Sequence, residues 1–419
     1  MAERLRLAVV IDNFHPLVGG AEQAALGTAQ ALARRGHAVE VLTMRKRADW
    51  PAEERLGEIT IHRFNEVVPP KPFGWLLYER SNAAAAARLI EKHLAERPYD
   101  VMLLHPIDAA FGAVRSRAAA SARIVYCFHA PLAREHWLEV RGLERAGEGG
   151  VCRLCQLAKG ALTASYRARQ QRAAISLSDA VTCPSAYSRD LLEDMMRQRV
   201  GRPVRVIPWG VDLGAFRPSD RRADIRSRLG WAPDDFVAVT ARRLVPRMGI
   251  GPLIHGFGQA AATDPALRLV IIGDGPLRGR LEALARRAGG RVEFTGLIPT
   301  AALIERLQAA DLFVLPSIEL EAFGLVILEA LACGTPVVAT HRCAAPEILG
   351  PLDQRLLVHG CDASAWASAL VEAKRLVAGE PALRPRCREY VAANYSWDKT
   401  AAAFEKLAEE LLATPKNPR

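Results

Sequence analysis

Apolar residues in this chain fall in short continuous blocks, separated by alanine-rich stretches, and the blocks recur from one end to the other. Leu5 to Ile11, Ala38 to Thr43, Ile59 to Phe64, Asp100 to His105, Arg123 to Phe128 and Ala180 to Pro184 each read as a strand. Blocks that do not alternate with polar residues belong to strands buried on both faces. The stretches between them, such as Asn82 to Glu96, carry residues that favour helix. Strand, glycine turn, helix and strand from Leu5 to Thr43 make one βαβ unit. Its repetition predicts a parallel sheet with helices on both faces and ligands at the carboxyl ends of the strands.

The pattern restarts after Val204 to Asp212 and Phe216 to Asp220, whose Pro, Gly and polar residues mark a linker. Phe236 to Ala241, Leu269 to Gly273, the strand opening at Val292, Leu312 to Pro316 and Pro336 to Thr340 supply a second set of strands. A length of 419 residues also exceeds one ordinary core. We therefore expect an α/β protein with a first domain at 1–206, a hinge at 207–222 and a second domain at 223–395. Residues 132 to 175, with Gly147, Gly149-Gly150 and a Cys152-x-x-Cys155 pair, fit neither pattern. Such an insertion either shapes a binding site or stays disordered.

The stretch from Glu321 to Thr340 carries the most chemistry. From Ala322 onward it holds a single charge, Glu329, amid apolar residues. A carboxylate there is costly unless something satisfies it. Gly334-Thr335-Pro336 stops a helix that begins near Phe323 or Gly324, which leaves Glu321 in the loop before it and Glu329 near its middle. Eight helical residues rise roughly 12 Å, so the two carboxylates suit an elongated ligand with hydroxyls at both ends. Between them the unpaired amides of Gly324, Leu325 and Val326 favour an anion. Hydroxyls flanking phosphate describe a nucleotide sugar. The plainer alternative is a buried helix whose glutamate pairs with a core arginine.

Other residues offer weaker signals. Gly19-Gly20 after the first strand either lets a ligand approach the backbone or simply makes a tight turn. His129 follows a strand and could donate to a sugar hydroxyl or an oxyanion, or be packed. Glu135 and His136 come soon after it and are candidates for an acceptor pocket. Asp274 lies in a turn that it could form or use for a ligand.

Composition narrows the partners. Hydrophobic residues make up 50% of the chain but aromatic ones only 6%, too few for a stacking surface that binds single-stranded nucleic acid. The net charge of +10 comes from scattered arginines with no long basic run. It fits an anionic lipid face, a basic cleft for a diphosphate, or no specific target. No apolar run is long enough to span a membrane and no signal peptide is evident, so we expect a cytoplasmic protein, able to sit peripherally on the inner face of the cell membrane. The eight cysteines are spread out like free thiols; only Cys152 and Cys155 have metal-like spacing, and they lack two further ligands.

Glu-Ala-Phe-Gly at 321–324 followed by Glu329-Ala resembles the signature of glycosyltransferase family 4, also described as glycosyl transferases group 1. These are retaining enzymes of the GT-B fold, with two Rossmann-like doubly wound parallel-sheet domains and an interdomain cleft. The resemblance covers nearly the whole length. It implies that Glu321 lies by the donor sugar, that Glu329 binds the ribose, and that Phe323, Gly324 and Leu325 contact the donor. Gly19-Gly20 resembles the family's loop over the donor phosphates, and His129 its histidine beside the transferred sugar. The loop at Leu297 corresponds to the backbone that meets the base, and Tyr395 to Leu412 to the helix that crosses back to complete the first domain. The hinge motif has Trp209 where the family usually has Asn. The family clamps the diphosphate with Arg and, five residues later, Lys. This chain has Arg243 but Met248 at the lysine position, so the charge must come from Arg243 with Arg247 or Arg242, or be missing.

The implied activity is transfer of a hexose-type sugar from a nucleotide-diphosphate sugar to a glycan, lipid-linked or small-molecule acceptor, as in cell-envelope or exopolysaccharide synthesis. There is no Asp-x-Asp, so no metal and no cofactor is expected. Three rivals stand beside it: a non-catalytic protein that binds a nucleotide sugar or a partner transferase, a sugar-nucleotide epimerase, and a sugar phosphorylase.

Overall fold

The computed structural model describes residues 4–17, 19–70, 74–106, 108–145, 153–197 and 200–416. It divides into two units, one of Met1–Arg134, Lys159–Gly210 and Trp397–Arg419, the other of Glu135–Ala158 and Val211–Ser396.

The first unit is built on a sheet of β1 (Arg6–Val10), β2 (Ala38–Arg45), β3 (Glu53–Leu56), β4 (Ile59–Asn65), β5 (Val101–Leu104), β6 (Arg123–Cys127), β7 (Ala180–Cys183) and β8 (Val204–Val206). Their order across the sheet is β3-β4-β2-β1-β5-β6-β7-β8. Every residue of β1, β5, β6 and β7 is buried, as their apolar runs predict. Strand β3 is the exception: it pairs antiparallel with β4, and its charged residues kept it from reading as a strand. Charges and half-exposure are what an edge strand carries to discourage further pairing.

The last helix, Trp397–Leu412, belongs to this unit. Ala401, Phe404, Leu407, Ala408 and Leu411 join Leu7, Val9 and Val101 in one core. Glu405 fastens it, accepting from both arms of Arg35 at 2.7 and 2.6 Å and lying 2.8 Å from His37 Nε2. Within 132–175, where no pattern was legible, the chain forms helices Leu132–Arg145 and Arg153–Leu177. The Cys152 and Cys155 pair, noted for its spacing, lies outside the described residues and side chains.

The second unit holds β9 (Phe236–Ala241), β10 (Leu267–Ile272), β11 (Arg291–Gly296), β12 (Leu312–Leu315), β13 (Val337–Thr340) and β14 (Leu357–Val358), ordered β11-β10-β9-β12-β13-β14 and parallel throughout. Each sheet thus has a point where the strand order reverses, between β1 and β5 in one and between β9 and β12 in the other. In open sheets of this kind ligands bind outside the carboxyl ends of the strands at that point.

Candidate functional site

In the second unit Arg242 is the first residue past β9, and Ser317 to Glu321 form the loop past β12. The Arg242 guanidinium donates to the Glu321 carboxylate, to Ser317 Oγ at 3.0 Å, and touches Met248 Sδ at 2.7 Å. Ser317 Oγ in turn lies 3.1 Å from Glu321. The arginine and glutamate side chains are only 8% and 14% exposed, so this contact is screened little by water. Glu321 is therefore fixed in orientation by a cation and a hydroxyl. The cation beside Met248, where the family has its lysine, is Arg242.

The other two arginines are engaged differently. Arg243 is largely exposed and pairs with Glu139 at 2.7 Å. Arg247 pairs with Glu135 and donates to the Leu320 carbonyl at 3.2 Å, while its own carbonyl accepts from the Ile318 amide at 2.9 Å. Leu320 sits at φ 58°, a left-handed conformation that costs a non-glycine residue about 1–2 kcal/mol. Arg247 is thus the brace that holds a strained loop around Glu321. Glu135 and His136 lie on the Leu132–Arg145 helix.

The signature helix runs Leu325–Ala332, starting one or two residues later than the sequence suggests. Gly324 precedes it at φ 87° with no side-chain cap. Only glycine takes that conformation cheaply, and the uncapped entrance presents amides and a partial positive charge. Glu329 is partly buried in the middle of the helix, and burial pushes its carboxyl up to about 7. Among the described residues nothing bonds its carboxyl, so the pairing with a core arginine is not made. Arg384 and Arg388, the arginines around Cys333, donate instead to the carbonyls of Ala310, Ala332, Phe216 and Leu213. Phe323 is buried edge-on to Tyr395, which makes its ring a packing element. Leu297 stands 81% exposed just past β11. Asp274 forms its turn, accepting from the Gly275 amide at 2.7 Å.

In the first unit Asp12 follows β1 closely, His105 follows β5 and His129 lies just past β6. Asp12 accepts from the amides of Asp108 and Ala109 at 2.9 and 2.7 Å and so caps the Asp108–Arg115 helix. His105 Nδ1 lies 2.9 Å from His129 Nε2, and the His129 ring packs against Trp209 with centroids 5.1 Å apart. Burial lowers His129 to about 4; burial, and then His129, hold His105 well below the usual imidazole range. Both rings are neutral at pH 7. Asp108 is pushed up to about 9, by burial first and then by Asp12 and Glu79. Gly19 is the extended residue before the Gly20–Arg34 helix, and a Cβ on Gly20 would meet nothing within 4 Å.

Sequence reading singles out Glu321, Glu329 and His129 but not the groups that contact Glu321 and His129 in the fold. Arg242 appeared only as one of two substitutes for the missing lysine, and Ser317 and His105 not at all. The available signal for Arg242 and His105 was position, since each is the first residue after an apolar strand.

Among the described residues one cluster has metal-ligand chemistry. Donor atoms of Glu40, His62 and His93 lie within 4.8 Å of one another. The Glu40 carboxylate is already taken by Arg6 at 3.0 and 3.1 Å and by the Tyr99 hydroxyl at 2.6 Å. Glu40 is thus already engaged in an ion pair with Arg6. Among the described residues no helix is long and apolar enough to cross a membrane.

Comparison with known proteins agrees with this architecture. The chain is 32% identical over 218 residues to a GDP-mannose-dependent monoacylated alpha-(1-6)-phosphatidylinositol monomannoside mannosyltransferase of Corynebacterium glutamicum, over 50% of this chain and 56% of the relative. It is 34% identical over 249 residues to the GDP-mannose-dependent alpha-(1-6)-phosphatidylinositol monomannoside mannosyltransferase of Mycobacterium tuberculosis, over 56% of this chain and 62% of that one. A D-inositol 3-phosphate glycosyltransferase of Corynebacterium jeikeium is 37% identical over 222 residues, 50% of this chain and 52% of the relative. The chain thus spans a little over half the length of the curated relatives it matches. Among solved structures, sucrose-phosphate synthase from Thermosynechococcus elongatus superimposes with a TM-score of 0.75 at 24% identity, covering 98% of this chain and all 100% of that one. Anabaena HepE in complex with UDP and glucose gives 0.72 at 19% identity, covering 97% and 100%. The family profile Glycosyltransferase Family 4 matches residues 18–215 and Glycosyl transferases group 1 matches 221–409, and on these two domains the chain belongs to the family 4 glycosyltransferases, with the GT-B fold.

Proposed function

We propose that this protein is a retaining glycosyltransferase that moves a hexose-type sugar from a nucleotide-diphosphate sugar to a lipid-linked, glycan or small-molecule acceptor without a metal ion. The observation that carries the reading is the Glu321 to Glu329 segment: one carboxylate locked by Arg242 and Ser317, an uncapped helix entrance at Gly324, and a second carboxylate with no described partner. Glu321 positions the sugar, the helix amides and Arg242 meet the charge that develops on the departing diphosphate, and Glu329 receives the ribose hydroxyls. Electrostatic stabilisation of this kind needs groups held before the reaction, and the contacts of Arg242 with Ser317 and Glu321 support that part for it. Attack from the same face, with the leaving phosphate assisting acceptor deprotonation, accounts for retention without a covalent intermediate.

The relatives supply the first substrates to try, GDP-mannose as donor and an inositol-containing lipid or inositol phosphate as acceptor. Purified chain is incubated with GDP-mannose, UDP-glucose or an ADP-sugar, with and without acceptor and with and without EDTA, and release of nucleoside diphosphate is followed. Release by wild type in EDTA, abolished in Glu321→Ala, supports the reading, and product NMR reads the anomeric configuration. Donor turnover without any acceptor indicates the epimerase, a requirement for inorganic phosphate the phosphorylase, and binding without turnover the non-catalytic protein.

A further inference from the structure

Four ring nitrogens meet where β5 and β6 end. His105 is 2% exposed, whereas His129 is only partly buried. Nδ1 of His105 and Nε2 of His129 are 2.9 Å apart, a hydrogen-bond distance. The remaining nitrogen of His105, Nε2, is buried with no hydrogen-bond partner among the described residues. The remaining nitrogen of His129, Nδ1, is not among those buried atoms and bonds to no described residue.

Two neutral imidazoles carry one proton each. The shared bond uses one of the two, and its direction fixes where the other sits. If His129 donates from Nε2, its outward Nδ1 is a bare acceptor and the second proton lies on His105 Nε2, an N–H buried with nothing to receive it. If His105 donates from Nδ1, its Nε2 is a bare lone pair and the outward Nδ1 of His129 carries the proton. A buried N–H without an acceptor is rarer in folded proteins than an under-satisfied acceptor.

We propose that His105 is a positioning residue: it donates from Nδ1 to His129 Nε2 and so holds His129 in the Nδ1-protonated form, a neutral hydrogen-bond donor toward a hydroxyl of the transferred sugar. The role assigned to that donor rests on the transferase reading; the proton arrangement does not. Burial keeps both rings uncharged at neutral pH, so the donor forms without placing a cation beside the sugar. Without His105, His129 is free to take the Nε2-protonated form that histidine prefers in water, and an acceptor then faces the ligand.

The test uses full-length protein labelled with nitrogen-15 and long-range proton–nitrogen spectra of the histidine rings, assigned with His105→Phe and His129→Gln. Wild type should show His129 protonated at Nδ1 and bare at Nε2, and His105→Phe should reverse it. A wild-type His129 protonated at Nε2, or one that His105→Phe leaves unchanged, overturns the proposal. Kinetically, His105→Phe should lose about tenfold in kcat, the weight of one hydrogen bond, with the nucleoside diphosphate Kd unchanged. His105→Asn, whose amide donates at a similar reach, should recover most of the loss. A folded His105→Asn as slow as His105→Phe also counts against it. If wild type turns over no donor, the proposed function fails while the spectrum still decides where the protons are.

Discussion

Past β9 and β12 of the second unit stand Arg242, Ser317 and Glu321, a cation and a carboxylate in direct contact. Past β1, β5 and β6 of the first unit stand Asp12, His105 and His129, where the carboxylate is used on backbone amides and the imidazoles are neutral. The two sheets thus place opposite chemistry at the same topological position. On the proposed reading, a departing diphosphate needs fixed charge, whereas a hydroxyl of the transferred sugar can be met by a neutral donor. The same βαβ scaffold supplies either, because what differs is the first residues after each strand and not the strands themselves.

The sharpest way to break this contrast is to remove the charge from the charged side. Arg242→Ala should lower kcat/KM by roughly 10²–10³, the cost of losing one preorganised group at a developing charge. Arg243→Ala, which removes an exposed pair with Glu139, should change it by no more than about threefold. Steady-state release of nucleoside diphosphate measures both. Comparable effects for the two arginines would remove the special place given to Arg242.

On the neutral side, His129→Phe keeps the ring against Trp209 and removes the donor. It should cost about tenfold to hundredfold in kcat and leave the Kd for nucleoside diphosphate near that of wild type. A large loss of nucleotide affinity in this variant would mean that the two sites do not divide the work as described.

The strands that place these residues were legible because β1, β5, β6, β9 and β12 are buried on both faces and so are written as unbroken apolar runs. Glu321 and Glu329 were legible for a related reason, charges standing in apolar surroundings. Strand β3 was hidden by its charges, helix Leu132–Arg145 by its many charged residues, and helix Arg153–Leu177 by an absence of strong periodicity. The Arg242–Glu321 and His105–His129 contacts could not be read at all, since they join residues 79 and 24 positions apart that only the folded strand order brings together. The partly buried Glu329 was expected to need a partner, and among the described residues none bonds its carboxyl.

That isolation gives the second unit a dependence on pH. The Glu329 carboxyl moves from an ordinary 4.5 to about 7, so between those values the folded chain keeps a proton that the unfolded chain has released. Its contribution to stability is therefore full below 4.5 and is lost as pH rises through about 7. Between about pH 5 and about pH 8 the melting temperature of wild type should fall relative to that of Glu329→Gln. Ribose hydroxyls donating to the carboxylate favour its ionised form, so nucleotide binding should release a proton and tighten with rising pH over the same range. Calorimetry in buffers of different ionisation enthalpy detects that proton, and its persistence in Glu329→Gln would assign it elsewhere.

The smallest expected effect separates the two glycines that open the first helix of the first unit. A Cβ on Gly19 would come within 2.3 Å of Glu22 Oε2, so alanine there must displace that side chain. A Cβ on Gly20 meets nothing within 4 Å, and Gly20 is not among the residues with positive φ. Nothing in the fold requires glycine at 20, and alanine in a helix is favoured over glycine by about 1 kcal/mol at most. Gly20→Ala should therefore leave the melting temperature unchanged or slightly raised. If the backbone at this turn approaches the donor phosphates, the added methyl has only the ligand to collide with, and KM for the donor should rise several-fold while stability does not fall. A Gly20→Ala variant that is as stable as wild type and binds donor equally well would leave the turn as a turn and confine donor recognition to the second unit's own residues.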